Sequence, residues 1–142
     1  RWAAKNTTNE NVRTTLLDIV DTPISPELTP ADNEGNIKQK TEDLVGPYEL
    51  HDFFLYHFLH HGFSPQKIHF MASNAFEGKY DSATIKEWLT TFTRRFFAQQ
   101  FKRTAMPDGP QATSCSLSLQ NGWIMTADTC ATTWSSACEN IE

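Results

Sequence analysis

Cysteine is scarce in this 142-residue sequence. Cys115, Cys130 and Cys138 are odd in number and show no CxxC pair or zinc-type spacing. That pattern excludes a disulfide framework and argues for reduced thiols and a cytoplasmic address. Long apolar runs are missing too. The longest clusters, such as Phe53 to Tyr56, fall far short of the roughly 20 apolar residues that a membrane-spanning helix needs. Glycine is limited to six residues, and none belongs to a Walker phosphate loop, a GxGxxG dinucleotide turn or a GxSxG nucleophile elbow. Positive charge is in deficit, with 12 Lys and Arg against 17 Asp and Glu and a net charge of −5. This speaks against general attraction to nucleic acid or to an anionic membrane, so any anion site must be local. The opening RWAAK has neither an initiator Met nor the apolar stretch and small-residue cleavage site of a secretory signal, and the sequence reads as a piece of a longer protein.

What is present suits a folded chain. Hydrophobic residues make up 39% and include ten Phe, enough for one domain to bury a core without staples. In residues 11 to 20, Val12, Leu16 and Ile19 keep helical spacing, so the segment reads as a helix, with a strand as the alternative. Pro23, Pro26, Pro30 and the polar run to Thr41 deny regular structure to a long loop. Gly46 and Pro47 open a strong helix, Pro47 as its first residue, running to about His61. Gly62 then serves as its C-terminal cap. Ser64 and Pro65 start the next helix, which buries Ile68, Met71, Ala72 and Ala75. Asp81 or Ser82 caps a third, with Ile85, Trp88, Leu89, Phe92 and Phe96 on one face, reaching about Arg103. Pro107, Gly109 and Pro110 end it. Cys115, Leu117 and Leu119 then alternate with Ser114, Ser116 and Ser118, a strand pattern, and Asn121 with Gly122 predicts a hairpin turn. The tail from Thr126 carries little signal. The organisation is thus a short helix plus loop over residues 1–45, a three-helix segment over 46–104, and an extended or irregular tail over 105–142. The class is mainly α.

Candidate chemistry is thin on residue patterns alone. His57 and His61 stand one helical turn apart with His51, His60 and His69 nearby. No acid or thiol joins them at a metal spacing and HExxH is absent, so the favoured reading is histidines at the rim of an aromatic helix. Glu42, Asp43, Glu49 and Asp52 could pair as carboxylates, but the latter two lie in the first turns of a helix, where acids act as caps. Arg94, Arg95, Lys102 and Arg103 occupy the last turns of the third helix, where its negative end stabilises cations by about 0.3–1 kcal/mol each. The functional alternative is that the FKR string projects Lys102 toward a carboxylate or phosphate. No complete catalytic machine is present.

Four strings carry a more specific signal: DTPISPEL (Asp21 to Leu28), QKTEDLVGPYELHDFFLYHFL (Gln39 to Leu59), GFSPQKI (Gly62 to Ile68) and RRFFAQQFKRTAMPDGP (Arg94 to Pro110). Together, in this order, they make the chain resemble the C-terminal part of bacterial NAD synthetase, especially its glutamine-dependent long form. The resemblance implies a helical C-terminal fragment of a Rossmann-like α/β ATP pyrophosphatase domain, its helices covering one side of a sheet not contained in this sequence. It also implies a ligase that activates the nicotinate carboxylate of deamido-NAD with ATP and Mg2+. Ammonia, free or drawn from glutamine where an N-terminal nitrilase-like domain is attached, then displaces AMP in a homodimeric active site. The family's SGGxDS loop and magnesium ligands lie upstream of the segment seen here, so no catalytic and no metal-binding residue is expected in this sequence.

By the same resemblance, Ser25 takes the place of the family's Thr or Ser that touches ATP. The segment from Ala31 to Glu42 corresponds to a loop that closes over the nucleotides. Phe101 and Lys102 match the aromatic and Lys pair that reaches deamido-NAD across the dimer interface. Where the family commonly reads SPRGDWRMPSD, this chain has SLQNGWIMTAD (Ser118 to Asp128), so Gly122 replaces an Asp able to contact the nicotinate end of the ligand. The expected function is therefore the lid loop and a trans Lys of a glutamine-dependent NAD synthetase, inactive in isolation. The competing class is a non-catalytic helical dimerisation or interaction module, using Leu50, Phe53, Phe54, Phe58, Phe92, Phe96 and Phe97 as its surface. No nucleic acid or membrane partner is expected.

Overall fold

A computed structural model describes residues 1–22, 41–107, 109–111 and 113–141. Two compact units are present, residues 1–44 and the remainder. The first contains α1 (Trp2–Asn6) and α2 (Glu10–Asp21). Asn9 caps α2 by accepting from the amides of Asn11 and Val12, which fixes where the helix starts. Arg13 ties the two helices by donating to the Ala4 and Thr7 carbonyls. The Pro-rich stretch that follows, with Ser25 and most of the expected nucleotide-covering loop, lies outside the described residues. Short α3 (Thr41–Val45) comes after it.

The second unit is built on α4 (Tyr48–His61), α5 (Pro65–Ala75) and α6 (Ser82–Ala98). Pro47 sits one position earlier than its helix-former chemistry suggests, as the N-cap of α4, with its carbonyl accepting from Leu50 and His51. Gly62 ends α4 in the left-handed conformation (φ 62°) and returns its amide to the last turn. Ser64 Oγ accepts from the Lys67 amide and Pro65 fills the first position of α5, as the sequence predicts. Asp81 caps α6 by accepting from the Thr84 amide at 2.7 Å, and that bond holds its carboxyl below the usual range.

The core lies where α4, α5 and α6 meet. Leu50, Phe54 and Phe58 of α4 pack with Ile68 and Ala72 of α5 and with Ile85, Leu89, Phe92, Phe96 and Phe97 of α6. Thus the aromatic faces offered as a dimerisation surface in the interaction-module reading are mostly interior: Leu50, Phe54, Phe58, Phe92, Phe96 and Phe97 are all buried.

Of the residues expected on the buried face of α5, Ile68 and Ala72 are buried, Met71 is half-buried and Ala75 is exposed at the end of the helix. Three larger expectations fail as well, each for a local reason. The third helix is not continuous to Arg103. It breaks at Gln99 and resumes as α7 (Gln100–Arg103), because Arg103 folds back to donate to the Phe96 carbonyl, at the point where the helical ladder would continue. The alternating segment after Ser114 forms no strand, and the described residues contain no strand at all. Its hydroxyls take the amides that a sheet would need: Thr113 Oγ1 accepts from Cys115 N, Ser116 Oγ from Ser118 N and Ser118 Oγ from Gln120 N. The extended tail is also interrupted by α8 (Thr132–Glu139), which packs on α5 and α6. Its signal was Trp134, Cys138 and Ile141 at helical spacing, obscured by the Ser and Thr around them. Lys86 Nζ holds the C-terminal end of α8 through the Ile141 carbonyl at 2.5 Å.

Gly46 is required twice over. Its φ of 91° disfavours any side chain, and a Cβ there would overlap the Trp88 indole. Gly62 also has positive φ but faces open space. Gly46→Ala should therefore cost about 3 kcal/mol, strain and overpacking together, against about 1 kcal/mol for Gly62→Ala. Urea unfolding of the two variants measures that difference.

Candidate functional site

The site suggested by the sequence centres on α7. Four residues are too few for an independent helix, so α7 is held by its contacts. Gln100 is fully buried: its Nε2 donates to the Met125 carbonyl at 2.8 Å and its Oε1 accepts from Arg103 Nε at 2.8 Å. The Arg103 guanidinium lies 4.4 Å from the centre of the Phe96 ring. Burial lowers its pKa from the ordinary arginine value. Gln100 and Arg103 thus weld α7 to α6 and to the loop carrying Trp123 and Met125.

This anchoring sets the neighbouring pair outward. Phe101 is 55% exposed and Lys102 is exposed beside it. The Phe101 carbonyl accepts from Thr104 Oγ1 at 2.5 Å, which closes the turn without involving either side chain. Among the described residues the Lys102 ammonium has no ion-pair or hydrogen-bond partner. The basic string FKR is therefore split by the fold into a structural Arg103 and an uncommitted Lys102 next to an open aromatic face. Such a pair can take an aromatic, negatively charged ligand: the ring stacks, and the ammonium meets carboxylate or phosphate oxygens.

A cleft of about 390 Å³ opens on the other side of the turn, between Arg103 and Thr104 and the Ser116 to Gln120 loop. Arg103 is already committed to Phe96 and Gln100, and the Ser116 and Ser118 hydroxyls serve their own loop. At the end of that loop Gly122 donates to the Ser118 carbonyl at 2.9 Å and Trp123 to the Ser116 carbonyl at 3.1 Å. A Cβ at Gly122 would overlap the backbone of Ser116. The resemblance expects an Asp where this chain has Gly122; the loop closes too tightly on Ser116 for any side chain at that position.

The other candidates separate. Ser25 lies outside the described residues. Glu49 is committed to Lys79 Nζ at 2.5 Å and to the Tyr80 hydroxyl at 2.6 Å, and these bonds lower its pKa. Asp52 is exposed, and Glu42 and Asp43 occupy the first turn of α3. His57 and His61 stack 5.4 Å apart and both lie over Phe63. Burial, then the neighbouring His61, pushes the His57 pKa down. No group of three or more His, Cys, Asp or Glu residues among those described could hold a metal ion. The three cysteines are free thiols: Cys138 is buried, with its pKa raised by that burial, and Cys130 is exposed. No described helix is long and apolar enough to cross a membrane.

Among the described residues, α7 carries an exposed Phe101 and an unpaired Lys102 side by side. No family model matches the chain. It is 37% identical over 153 aligned residues to the glutamine-dependent NAD(+) synthetase of Mycobacterium leprae (strain TN), covering 94% of this chain and 22% of that protein. The synthetases of the same name from Mycobacterium bovis and Mycobacterium tuberculosis are 36% identical over 143 residues, covering 88% of this chain and 21% of theirs. The resemblance drawn from the four strings is thereby supported: the chain corresponds to a segment of the glutamine-dependent NAD synthetases, about a fifth of their length.

Two predictions separate structure from ligand contact on this turn. Arg103→Ala should destabilise the fold by about 2–3 kcal/mol, since it leaves buried acceptors on Gln100 and Phe96 unpaired, whereas Lys102→Ala should stay within about 0.5 kcal/mol of the parent in urea unfolding. Gly122→Asp, which restores the family residue, should cost roughly 1–3 kcal/mol because Ser116 must move. A thermal melt of the variant checks it.

Proposed function

We propose that this chain acts as the C-terminal segment of a cytoplasmic, glutamine-dependent NAD synthetase, presenting Phe101 and Lys102 to deamido-NAD bound in the active site of a dimer partner. The observation that carries this reading is the uncommitted Lys102 beside an exposed Phe101, on a turn whose own stability is supplied by other residues. The similarity of nearly the whole chain to the mycobacterial synthetases supports it.

In the reaction so proposed, a nicotinate carboxylate oxygen attacks the α-phosphorus of ATP and pyrophosphate leaves. Ammonia released from glutamine then attacks the resulting acyl carbon and AMP departs, leaving the amide of NAD. Lys102 does no covalent chemistry. Its ammonium binds and orients the anionic dinucleotide, an interaction that strengthens when water is excluded. Phe101 covers an apolar face of the ligand. Ser25, with a hydroxyl for an ATP polar group, and the segment 31–42, closing over the nucleotides, belong to the same reading on the resemblance alone. Mg2+ would neutralise the ATP phosphates. The described residues gather no donor set for it, so no step assigned to this chain runs through the metal.

The 142-residue chain alone should form no NAD from deamido-NAD, ATP and ammonia. In a synthetase carrying this segment, Lys102→Gln should lower kcat/KM for deamido-NAD by roughly 1.5–3 kcal/mol, that of a charged contact, and leave KM for glutamine unchanged. Steady-state kinetics with each substrate varied in turn decides it. An unaltered kcat/KM for deamido-NAD rejects the role of Lys102.

A further inference from the structure

Four of the seven Lys and Arg side chains of the helical unit are committed: Lys79 pairs with Glu49, Lys86 holds the end of α8, Lys67 lies 3.5 Å over the Phe63 ring, and Arg103 is bound to Phe96 and Gln100. The other three are Arg94, Arg95 and Lys102, whose side chains make no hydrogen bond, ion pair or ring contact among the described residues.

These three are neighbours. Buried Phe92, Thr93, Phe96, Phe97 and Gln100 fix the inner side of α6 and α7, so the outer side is determined. Gln99 keeps near-helical dihedrals (φ −99°, ψ 11°), its amide still bonds Arg95 and its carbonyl accepts from Lys102, so the register carries through the break. At about 100° per residue, Arg94, Arg95, Ala98, Phe101 and Lys102 then share an outer arc of about 120°. Arg94 and Arg95 stand at one end and Phe101 and Lys102 at the other, seven residues or about 10 Å along the axis. Between them Ala98, exposed and small, leaves a shallow floor. Glu87 lies on the same side of α6 two turns earlier and is bonded to none of the three.

A chain with a net charge of −5 thus leaves three like charges unpaired on one face, an arrangement that repels itself until an anion arrives. Guanidinium forks match phosphate oxygens in a bidentate way. An exposed ring at the far end suits a ligand that carries an aromatic ring and phosphates a nucleotide length apart.

We infer that Arg94 and Arg95 are a phosphate-binding pair that holds the pyrophosphate of deamido-NAD while Phe101 and Lys102 contact its ring end. This deepens the function proposed above and rests on it for the identity of the ligand.

The test is an NMR titration of the 142-residue chain with inorganic pyrophosphate and separately with deamido-NAD, on the parent, Arg94→Gln/Arg95→Gln and Lys102→Gln proteins. All three substitutions are on exposed positions, and circular dichroism checks that the fold is kept. The expected result is amide shifts confined to residues 94–102 with both ligands. Apparent affinity should fall roughly tenfold or more in the double arginine variant and weaken further as salt is raised. No shift in 94–102 at up to about 10 mM pyrophosphate overturns the inference. So does equal binding by the double variant. If deamido-NAD binding falls with Lys102→Gln but not with the arginine pair, the arginine assignment is wrong and the Lys102 reading stands. If pyrophosphate binds through the arginines and deamido-NAD does not bind at all, the assignment of the arginines to deamido-NAD is wrong, while the kinetics of the Lys102→Gln synthetase decide the reading of Lys102 separately.

Discussion

The structure turns on one side chain, Phe58. It sits 5% exposed on the inner face of α4, where Phe96 (4.8 Å) and Phe97 (6.2 Å) of α6, Trp123 (5.3 Å) of the loop and Trp134 (4.8 Å) of α8 converge on it, mostly edge to face. Aromatic pairs in such geometry are worth about 0.5–1.5 kcal/mol each beyond the area they bury. Through Phe58 the tail is joined to the helices without a sheet. This explains how a loop rich in Ser and Thr and a short C-terminal helix hold their places: neither has a core of its own, and both insert a Trp into that of the helices.

The turn of α7 is held from the same source. Phe96 packs against Phe58 on one side, while its ring and its carbonyl receive Arg103. Arg103 orients Gln100, and Gln100 reaches Met125. A side chain meant to meet a ligand is best carried on such a support, since the cost of ordering it is met before binding. Lys102 is exposed, but the backbone under it is held by buried Gln100 on one side and half-buried, hydrogen-bonded Arg103 on the other. The fold separates two cations that the sequence writes side by side, with Arg103 bonded to Phe96 and Gln100 and Lys102 left unpaired among the described residues.

Much of the helical frame was legible beforehand, and for specific reasons. Ser64 with Pro65, Asp81, and Gly62 are punctuation whose chemistry acts within a single turn, so local sequence is sufficient. What misled was also local. Ser114 to Leu119 has the alternation of a strand, but alternating hydroxyls each captured an amide two residues on, and no partner strand was available to compete. Thr132 to Glu139 reads as an uninformative polar run because Ser and Thr are weak helix formers in isolation. There the buried Cys138 and the Trp134 contact supplied the stability that propensity does not.

The sequence by itself determined the start of α5 and α6, the glycine stop of α4, the amphipathic faces that meet in the core, and, through four ordered strings, the kinship with NAD synthetases. These depend on side chains acting on their own backbone or on a periodicity that any burial would read the same way. Only the tertiary structure decided which of the adjacent Lys102 and Arg103 is left unpaired among the described residues and that Gly122 is pressed against Ser116. Each of those outcomes is set by atoms distant along the chain, where Phe96, Met125 and Ser116 supply the carbonyls and contacts, and no local pattern encodes which group will arrive there first.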